Sequence, residues 1–234
     1  EMCIRDRYYC NPIQYAEHRK TLENVICTAG KFGATHVSTF AGAWEGKPVE
    51  SAYEEFGKVF RELADLAEEK GVKLGIENCL MDGTWEHATC NIGFNPKAWE
   101  VMFEEVKNDN FGLEWEPTHQ MVQLIDPVTE LRKWCKKIVH IHGKDATIDW
   151  DAVRHSGISG AVPFVWHRMP GFGDTNWRDI ISILRSNGYE DDICIEGYHD
   201  PVYSGELEMT GQLHALNYLK WCRGGDFTPT PWEK

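Results

Sequence analysis

The chain has little basic charge. Its 24 Lys and Arg residues are outnumbered by 37 Asp and Glu residues, and the formal net charge at pH 7 is −13. An acidic protein repels the phosphates of nucleic acid and the anionic headgroups of a membrane surface. We therefore expect neither nucleic acid nor a membrane as a partner. A small neutral substrate, or one held by local cations, is easier to reconcile with this charge.

Long apolar runs and closely paired cysteines are also absent from the sequence. No apolar stretch approaches the ~20 residues that a membrane-spanning helix needs, and no continuous apolar segment near the start suggests a secretory signal. The eight cysteines form no C-x-x-C pair, and Cys27, Cys79, Cys135 and Cys194 lie within apolar patterns. Small buried thiols show such patterns, so we predict reduced cysteines and a cytoplasmic protein.

Strand-like and helix-like segments alternate along most of the chain. Short apolar runs at residues 72–76, 111–115 and 138–141 are separated by amphipathic segments, an order typical of βαβ units and a parallel sheet. We assign about six strands, including one at residues 162–166, whereas a closed barrel needs eight. The sequence therefore predicts an α/β protein with a (β/α)8 TIM barrel fold that lacks its first two strands.

The two ends of the chain depart from this pattern. Residues 1–10 match no element and are interpreted as irregular or artefactual sequence in place of a natural N-terminus. Residues 11–223 form the partial barrel, and residues 224–234 form a polar, proline-rich tail. Within the barrel, Ser51 with Glu54 predicts a capping box, and Thr175 is the expected cap of a later helix. Asn95-Pro96 and Asp126-Pro127 are each expected to open a helix, and residues 145–160 are expected to form a long loop.

Four of the predicted strands end in a side chain able to bind a metal. These side chains are Glu77, Glu116, His142 and Glu196. In a parallel barrel every strand points its C-terminal end to the same mouth, so residues far apart in sequence would converge there. Three carboxylates and one imidazole suit a hard or borderline divalent cation such as Mn²⁺, Mg²⁺, Co²⁺ or Zn²⁺. This constellation predicts an enzyme with one divalent metal ion.

Two of these strands carry a second candidate ligand. Glu114 and Glu116 lie on the same face of one strand, and His140 and His142 lie on the same face of the next. We choose Glu116 and His142 because they are nearer the C-terminal mouth, and we expect His140 to support the core. A strand with a polar face would also explain the two glutamates.

Residues beyond the strand ends are candidates for substrate binding. They are His119, Lys144, which follows the His142 strand, and the neighbours His167 and Arg168. His119, three residues after Glu116, could join the metal site or bind a substrate hydroxyl. Long loops above barrels often carry function. Next along the chain, the glycines of residues 170–174 precede a helix and could admit an anion such as phosphate, although a tight turn explains them equally well.

Over about residues 11–222, the order and spacing of the sequence motifs resemble those of the xylose isomerase-like barrel superfamily, in its sugar phosphate isomerase/epimerase branch. The motifs that carry the resemblance are Ile76-Glu77, Glu116-Pro117-Thr118-His119, His140-Ile141-His142, Pro170-Gly171-Phe172-Gly173-Asp174 and Ile195-Glu196. One departure is Glu116, where relatives usually have Asp. The resemblance implies a metal held by Glu77, Glu116, His142 and Glu196, with Glu77 and Glu196 as the acid–base pair.

The chemistry that the resemblance implies is proton abstraction next to a carbonyl, through an enediolate. We accordingly predict a metal-dependent isomerase or epimerase acting on a sugar or sugar phosphate. The alternative is a dehydratase of the same superfamily, an inosose or keto-acid lyase, which shares the first step and then expels a hydroxyl group. An abasic-site endonuclease, which shares the barrel, is disfavoured by the acidic charge. A non-catalytic binding module would keep the metal site without turnover.

The expected partner is thus a small sugar or polyol. The ten tryptophans also leave scope for an aromatic interface between copies of the chain, because aromatic residues are enriched at interface cores.

Overall fold

The centre of the fold is a parallel sheet. The computed structural model describes residues 11–197, 199–225 and 228–230, so the irregular segment assigned to residues 1–10 and part of the tail at residues 224–234 lie outside the described residues. Five strands lie side by side in the order β1, β2, β3, β4, β7. Their bounds are His36–Thr39 (β1), Lys73–Glu77 (β2), Phe111–Trp115 (β3), Ile138–Gly143 (β4) and Ile193–Ile195 (β7).

Helices connect the strands and cover the sheet. Their bounds are Ala16–Ala29 (α1), Tyr53–Glu69 (α2), Pro96–Glu105 (α3), Pro117–Met121 (α4), Pro127–Trp134 (α5), Trp150–Ser156 (α6), Trp177–Ser186 (α7) and Glu208–Arg223 (α8). The core forms where their apolar faces meet the sheet. Phe56 and Phe60 of α2, for example, stack at 4.6 Å between ring centroids, and both rings lie about 6 Å from Phe111 of β3. Aromatic pairs in this range add to the stability that their burial provides.

Two predicted helix starts are confirmed. The Asn95 side chain accepts hydrogen bonds from the backbone N–H groups of Lys97 and Ala98, at 3.1 and 3.2 Å. The Asp126 side chain accepts one from Val128 at 3.0 Å. In both helices a proline follows the capping residue, where no N–H is needed.

Two other predicted caps are wrong. The 3₁₀ turn Val49–Ala52 precedes α2, and Ser51 donates its hydroxyl hydrogen bond to the Pro48 carbonyl instead. The helix α7 is capped by Asn176, whose side chain accepts the Asp179 N–H. Thr175 lies one residue before this cap, and its own backbone N–H donates to the Asp145 carboxylate, 30 residues away in the chain.

The strand predicted at residues 162–166 is also wrong as a barrel strand. Residues Val165–Arg168 form β6, which pairs antiparallel with β5, Asp145–Ile148, in a separate two-stranded sheet. The predicted loop at residues 145–160 therefore contains β5 and α6. The apolar run misled the assignment because Val162 and Trp166 are 51% and 43% exposed and do not face the core.

As a result β7 pairs directly with β4. The described residues hold five parallel strands, three short of a closed eight-stranded barrel rather than the two that the sequence suggested. The architecture is a parallel half-barrel with helices outside. None of the described helices combines the length and apolar character that a membrane crossing requires.

The predicted reduced state of the cysteines agrees with free thiols at Cys27, Cys79, Cys135 and Cys222. Cys135 is buried as expected. Cys27 is exposed, because it lies on the outer face of α1, next to the fully buried Ile26.

Candidate metal centre

Three of the four predicted ligands converge at the C-terminal end of the sheet. Glu77 ends β2, Glu116 directly follows β3, and His142 lies near the end of β4. Each offers one ligand atom, and these three atoms all lie within 4.8 Å of one another. Neighbouring parallel strands bring their ends to one edge, and this explains why residues up to 65 positions apart meet.

Glu196, the fourth predicted ligand, lies beside this group. Its Oε2 is 3.2 Å from His142 Nδ1, and its Oε1 is 2.9 Å from Lys144 Nζ. Burial raises the pKa of the Glu196 carboxyl and the negative charge of Glu116 adds to this effect, while Lys144 and His142 oppose it. The four predicted ligands therefore occupy one small region, with Glu196 on the Lys144 side.

Glu116 is the most deeply buried carboxylate of the site. Its Oε1 lies 3.2 Å from His119 Nε2 and 3.6 Å from Lys144 Nζ. Burial would raise the pKa of Glu116, but the nearby positive charges of His119 and Lys144 outweigh it and hold this pKa well below its usual value. Neither Glu116 oxygen completes a hydrogen bond of regular geometry to the described residues. The two oxygens are therefore countered by nearby charges but not fully hydrogen-bonded, which leaves them able to bind a cation.

Two predicted substrate-binding residues, His119 and Lys144, lie inside the group of candidate ligands, a position that the sequence had left open for His119. His119, on α4, places its Nε2 3.3 Å from Glu77 and 3.2 Å from Glu116. Burial would lower the pKa of His119, but Glu116 outweighs this effect and raises it well above its usual value. Lys144 is 2% exposed. Burial would lower its pKa too, but Glu116 and Glu196 raise it, so Lys144 stays an ammonium ion.

The other two predicted substrate-binding residues lie on the β5–β6 hairpin. The His167 ring centroid is 6.4 Å from that of His119, so the hairpin reaches the site. Burial lowers the pKa of His167 to about 4, which makes it a neutral imidazole near pH 7. Arg168 instead points its Nε to Asp200, 3.2 Å away. Asp200 also accepts the N–H groups of Met169, Val202 and Tyr203.

The glycine loop at residues 170–174 already holds an anion from the chain itself. The Asp145 carboxylate accepts hydrogen bonds from the N–H groups of Gly171, Gly173 and Thr175, at 3.0, 3.3 and 2.9 Å. A Cβ at Gly173 would collide with Asp145. The interpretation of this loop as a phosphate site is therefore wrong, because an internal carboxylate takes the place of an external anion.

Two residues near the candidate ligands were not selected by reasoning from the sequence. One ligand atom each of Cys79, Glu77 and His119 lie within 4.8 Å of one another. The position of Cys79, two residues after Glu77, was the feature of the sequence that could have indicated this. Glu114, set aside in favour of Glu116, contacts His142, with 2.9 Å between its Oε1 and the imidazole Nε2. His140 stacks on His36 at 3.9 Å between ring centroids, in agreement with the core role expected of it.

Comparison with known proteins identifies the family. The model of the xylose isomerase-like TIM barrel family matches residues 9–220, and the chain belongs to this family. The expected TIM barrel fold, present here as a partial barrel, is thereby confirmed.

Curated relatives and solved structures give further likenesses. An inosose dehydratase of Clostridium tetani is 26% identical over 182 residues, which are 76% of this chain and 57% of that protein, so the chain spans little more than half the relative's length. A D-tagatose 3-epimerase-like protein superposes with a TM-score of 0.65 at 17% identity, over 94% of this chain and 76% of its own. The IOLI protein, solved with a bound zinc atom, has a TM-score of 0.62 at 22% identity, over 88% and 68% of the two chains.

Proposed function

We propose that the chain carries the catalytic metal centre of a dehydratase that removes water from an inosose-like keto polyol. The observation that carries this proposal is the convergence of Glu77, Glu116 and His142, beside the Lys144–Glu196 ion pair, at the mouth of the sheet. The curated relatives named inosose dehydratase support this alternative over the isomerase or epimerase that we predicted first.

The residues fit a divalent cation. Glu77, Glu116 and His142 offer two carboxylates and an imidazole, and Glu196 adjoins them. This mixed oxygen and nitrogen set is compatible with Mn²⁺, Mg²⁺, Co²⁺ or Zn²⁺. A cation bound there supplies Lewis-acid chemistry, which polarises a substrate carbonyl.

The chain's own residues move the protons. Dehydration breaks one C–H bond and the C–O bond of the neighbouring carbon and forms a C=C bond between the two carbons, while the proton and hydroxide released together make the water. We assign the acid–base steps to Glu77 and Glu196, one of which takes the proton next to the carbonyl while the other, protonated, gives one to the leaving hydroxyl. Burial raises the pKa of Glu196 above its usual value, which is the direction that favours its protonated form.

Other polar residues hold the substrate. The Lys144 ammonium and the His119 imidazole face the same carboxylates and can donate hydrogen bonds to substrate oxygens. The neutral His167, on the hairpin near His119, can accept or donate one. Arg168 is held by Asp200, so we assign it to positioning the hairpin.

A metal-dependent sugar isomerase or epimerase remains the second candidate. It shares the first proton abstraction, and the same Glu77 and Glu196 pair would return the proton to carbon instead of releasing a hydroxyl. The likeness to a D-tagatose 3-epimerase-like structure over 94% of the chain favours a site able to host either reaction.

Product mass separates the two candidates. The protein is incubated in D₂O with inososes and ketoses, each with Mn²⁺, Mg²⁺, Co²⁺ or Zn²⁺, and products are followed by mass spectrometry and NMR. A dehydratase gives a product lighter by one water. An epimerase or isomerase product loses no water and carries deuterium at carbon. Bound metal with neither outcome on any substrate would contradict both candidates and favour a binding module.

A further inference from the structure

A carboxylate that the proposed reaction does not use lies directly behind the metal centre. Glu114 is on β3, with its side chain 1% exposed, and its Oε1 is 2.9 Å from the Nε2 of His142 on β4. A buried carboxylate is costly unless donors or cations satisfy it. The contact with His142 meets that need, and it also ties Glu114 to a predicted ligand.

The two nitrogens of His142 face opposite sides. Nε2 points to Glu114, while Nδ1 lies 3.2 Å from Glu196 Oε2 and 3.6 Å from Glu116 Oε2, on the side where the ligands converge. A neutral imidazole carries one N–H donor and one lone pair. Donation from Nε2–H to Glu114 therefore leaves the Nδ1 lone pair directed at the mouth.

We infer that Glu114 is a positioning residue, which fixes the ring orientation and tautomer of His142 so that Nδ1 binds the cation. This inference rests on the proposed metal centre. Metal-binding histidines usually donate their second ring N–H to such a partner, and loss of that partner typically weakens metal binding roughly 10- to 100-fold.

A competing interpretation is that Glu114 is itself a ligand. Glu114, His140 and His142 each offer an atom within 4.8 Å of the others. A cation in that group would use Nε2 of His142 and reverse the tautomer, leaving an N–H at Nδ1 to face Glu116 and Glu196. The number of bound ions and the tautomer of His142 distinguish the two arrangements.

The experiment measures Zn²⁺ affinity and the His142 tautomer together. Zn²⁺ alone is titrated in competition with a chromophoric chelator, and the imidazole of ¹⁵N-histidine-labelled protein is observed by ¹H–¹⁵N NMR. Glu114→Met removes the carboxylate at similar volume, Glu114→Asp withdraws it by one methylene, and Glu114→Gln keeps an acceptor oxygen. Glu130→Met, on the outer helix α5, is the control for loss of a partly buried glutamate.

We expect one Zn²⁺ per chain and the Nε2–H tautomer of His142 in the original protein. Glu114→Met and Glu114→Asp should bind Zn²⁺ roughly 10- to 100-fold more weakly and show a mixture of tautomers. Glu114→Gln should recover much of the affinity, and Glu130→Met should match the original.

Three other results would contradict the positioning role of Glu114 or the metal centre. Original affinity and tautomer in Glu114→Met, or in Glu114→Asp if the Met variant does not fold, would overturn the positioning role. Two Zn²⁺ per chain, with one lost in these variants, would make Glu114 a ligand and also overturn it. No Zn²⁺ binding by the original protein would instead refute the proposed metal centre itself.

Discussion

Glu116 shows how a single residue can hold charge inside the protein. Its carboxylate is fully buried between the His119 imidazole and the Lys144 ammonium, and together these charges keep it ionised. One of its oxygens also lies within 4.8 Å of a ligand atom of Glu77 and of one of His142.

The variant Glu116→Gln should bind metal more weakly than the original protein, by more than the roughly 10- to 100-fold that follows loss of a residue hydrogen-bonded to a metal ligand. It should also unfold more easily, because removing one member of a buried charge group typically costs about 3–5 kcal/mol. Isothermal titration with Mn²⁺ and urea unfolding measure the two effects. Glu54→Gln, with an 85% exposed side chain, is the control. Unchanged metal affinity would remove Glu116 from the site.

The proposed acid–base pair gives a second prediction. Glu77→Gln and Glu196→Gln should each lower turnover by about 10²- to 10⁴-fold, the usual contribution of general acid–base catalysis. Each variant should keep the circular dichroism spectrum of the folded original protein. Full activity of either variant on a substrate that the original protein converts would reject that residue's role.

At the scale of elements, the β5–β6 hairpin and the glycine loop depend on Asp145. One carboxylate gathers N–H groups from Gly171, Gly173 and Thr175, and so joins the start of β5 to the loop before α7. This loop follows β6, which carries His167, so Asp145 indirectly sets how the hairpin lies against the site.

Asp145→Asn should therefore destabilise the protein by about 1.5–3 kcal/mol, the range for hydrogen bonds to charged groups, because an amide nitrogen cannot accept these N–H groups. Urea unfolding measures the change, and hydrogen exchange at Gly171 and Thr175 should become faster. Asp151→Asn, with a 95% exposed side chain on α6, should change neither. Unaltered exchange in Asp145→Asn would contradict the anchoring role.

The loop after β7 has a similar anchor, with a pH dependence of definite sign. Burial would raise the pKa of Asp200, but backbone N–H groups, those of Tyr203 and Met169 foremost, outweigh it and lower this pKa below its usual value. Because the folded pKa lies below the unfolded value of about 3.9, the ionised carboxylate stabilises the fold above that pH. This contribution disappears as the pH falls through the folded pKa.

Urea unfolding between pH 6 and pH 3 tests this expectation, with buffer conditions otherwise fixed. The original protein should lose more stability on acidification than Asp200→Asn, whose amide cannot titrate. Asp151→Asn is the charge-matched control. Parallel pH profiles for the original protein and Asp200→Asn would refute the assignment.

At the scale of the whole molecule, the proposed ligands join separate parts of the sheet. Glu77 ends β2, Glu116 follows β3, His142 is on β4 and Glu196 follows β7. A cation bound to them should stabilise the folded state by about 2.7 kcal/mol at a free concentration 100 times its Kd. Thermal unfolding with Mn²⁺, Mg²⁺, Co²⁺ or Zn²⁺ should show a raised midpoint that EDTA reverses. The same midpoint with every cation would contradict the metal centre.

The sequence by itself determined the kind of sheet and the edge at which the candidate ligands lie. Parallel strands share one mouth, so a residue at a strand's end, such as Glu77 or His142, can be placed without knowing any contact. The helix starts at Asn95 and Asp126 were equally readable, because a cap and the proline after it are local signals.

Only the tertiary structure decided what those ends meet. Residues 162–166 looked like a barrel strand because an apolar run does not reveal which surface it faces, and the structure places β6 in a hairpin instead. The glycine loop looked like an anion site until Asp145, 30 residues from Thr175, was found to occupy it. The contact of Glu114 with His142 was hidden in the same way, since it forms between neighbouring strands. Such contacts depend on how distant segments pack, which no local pattern in the chain specifies.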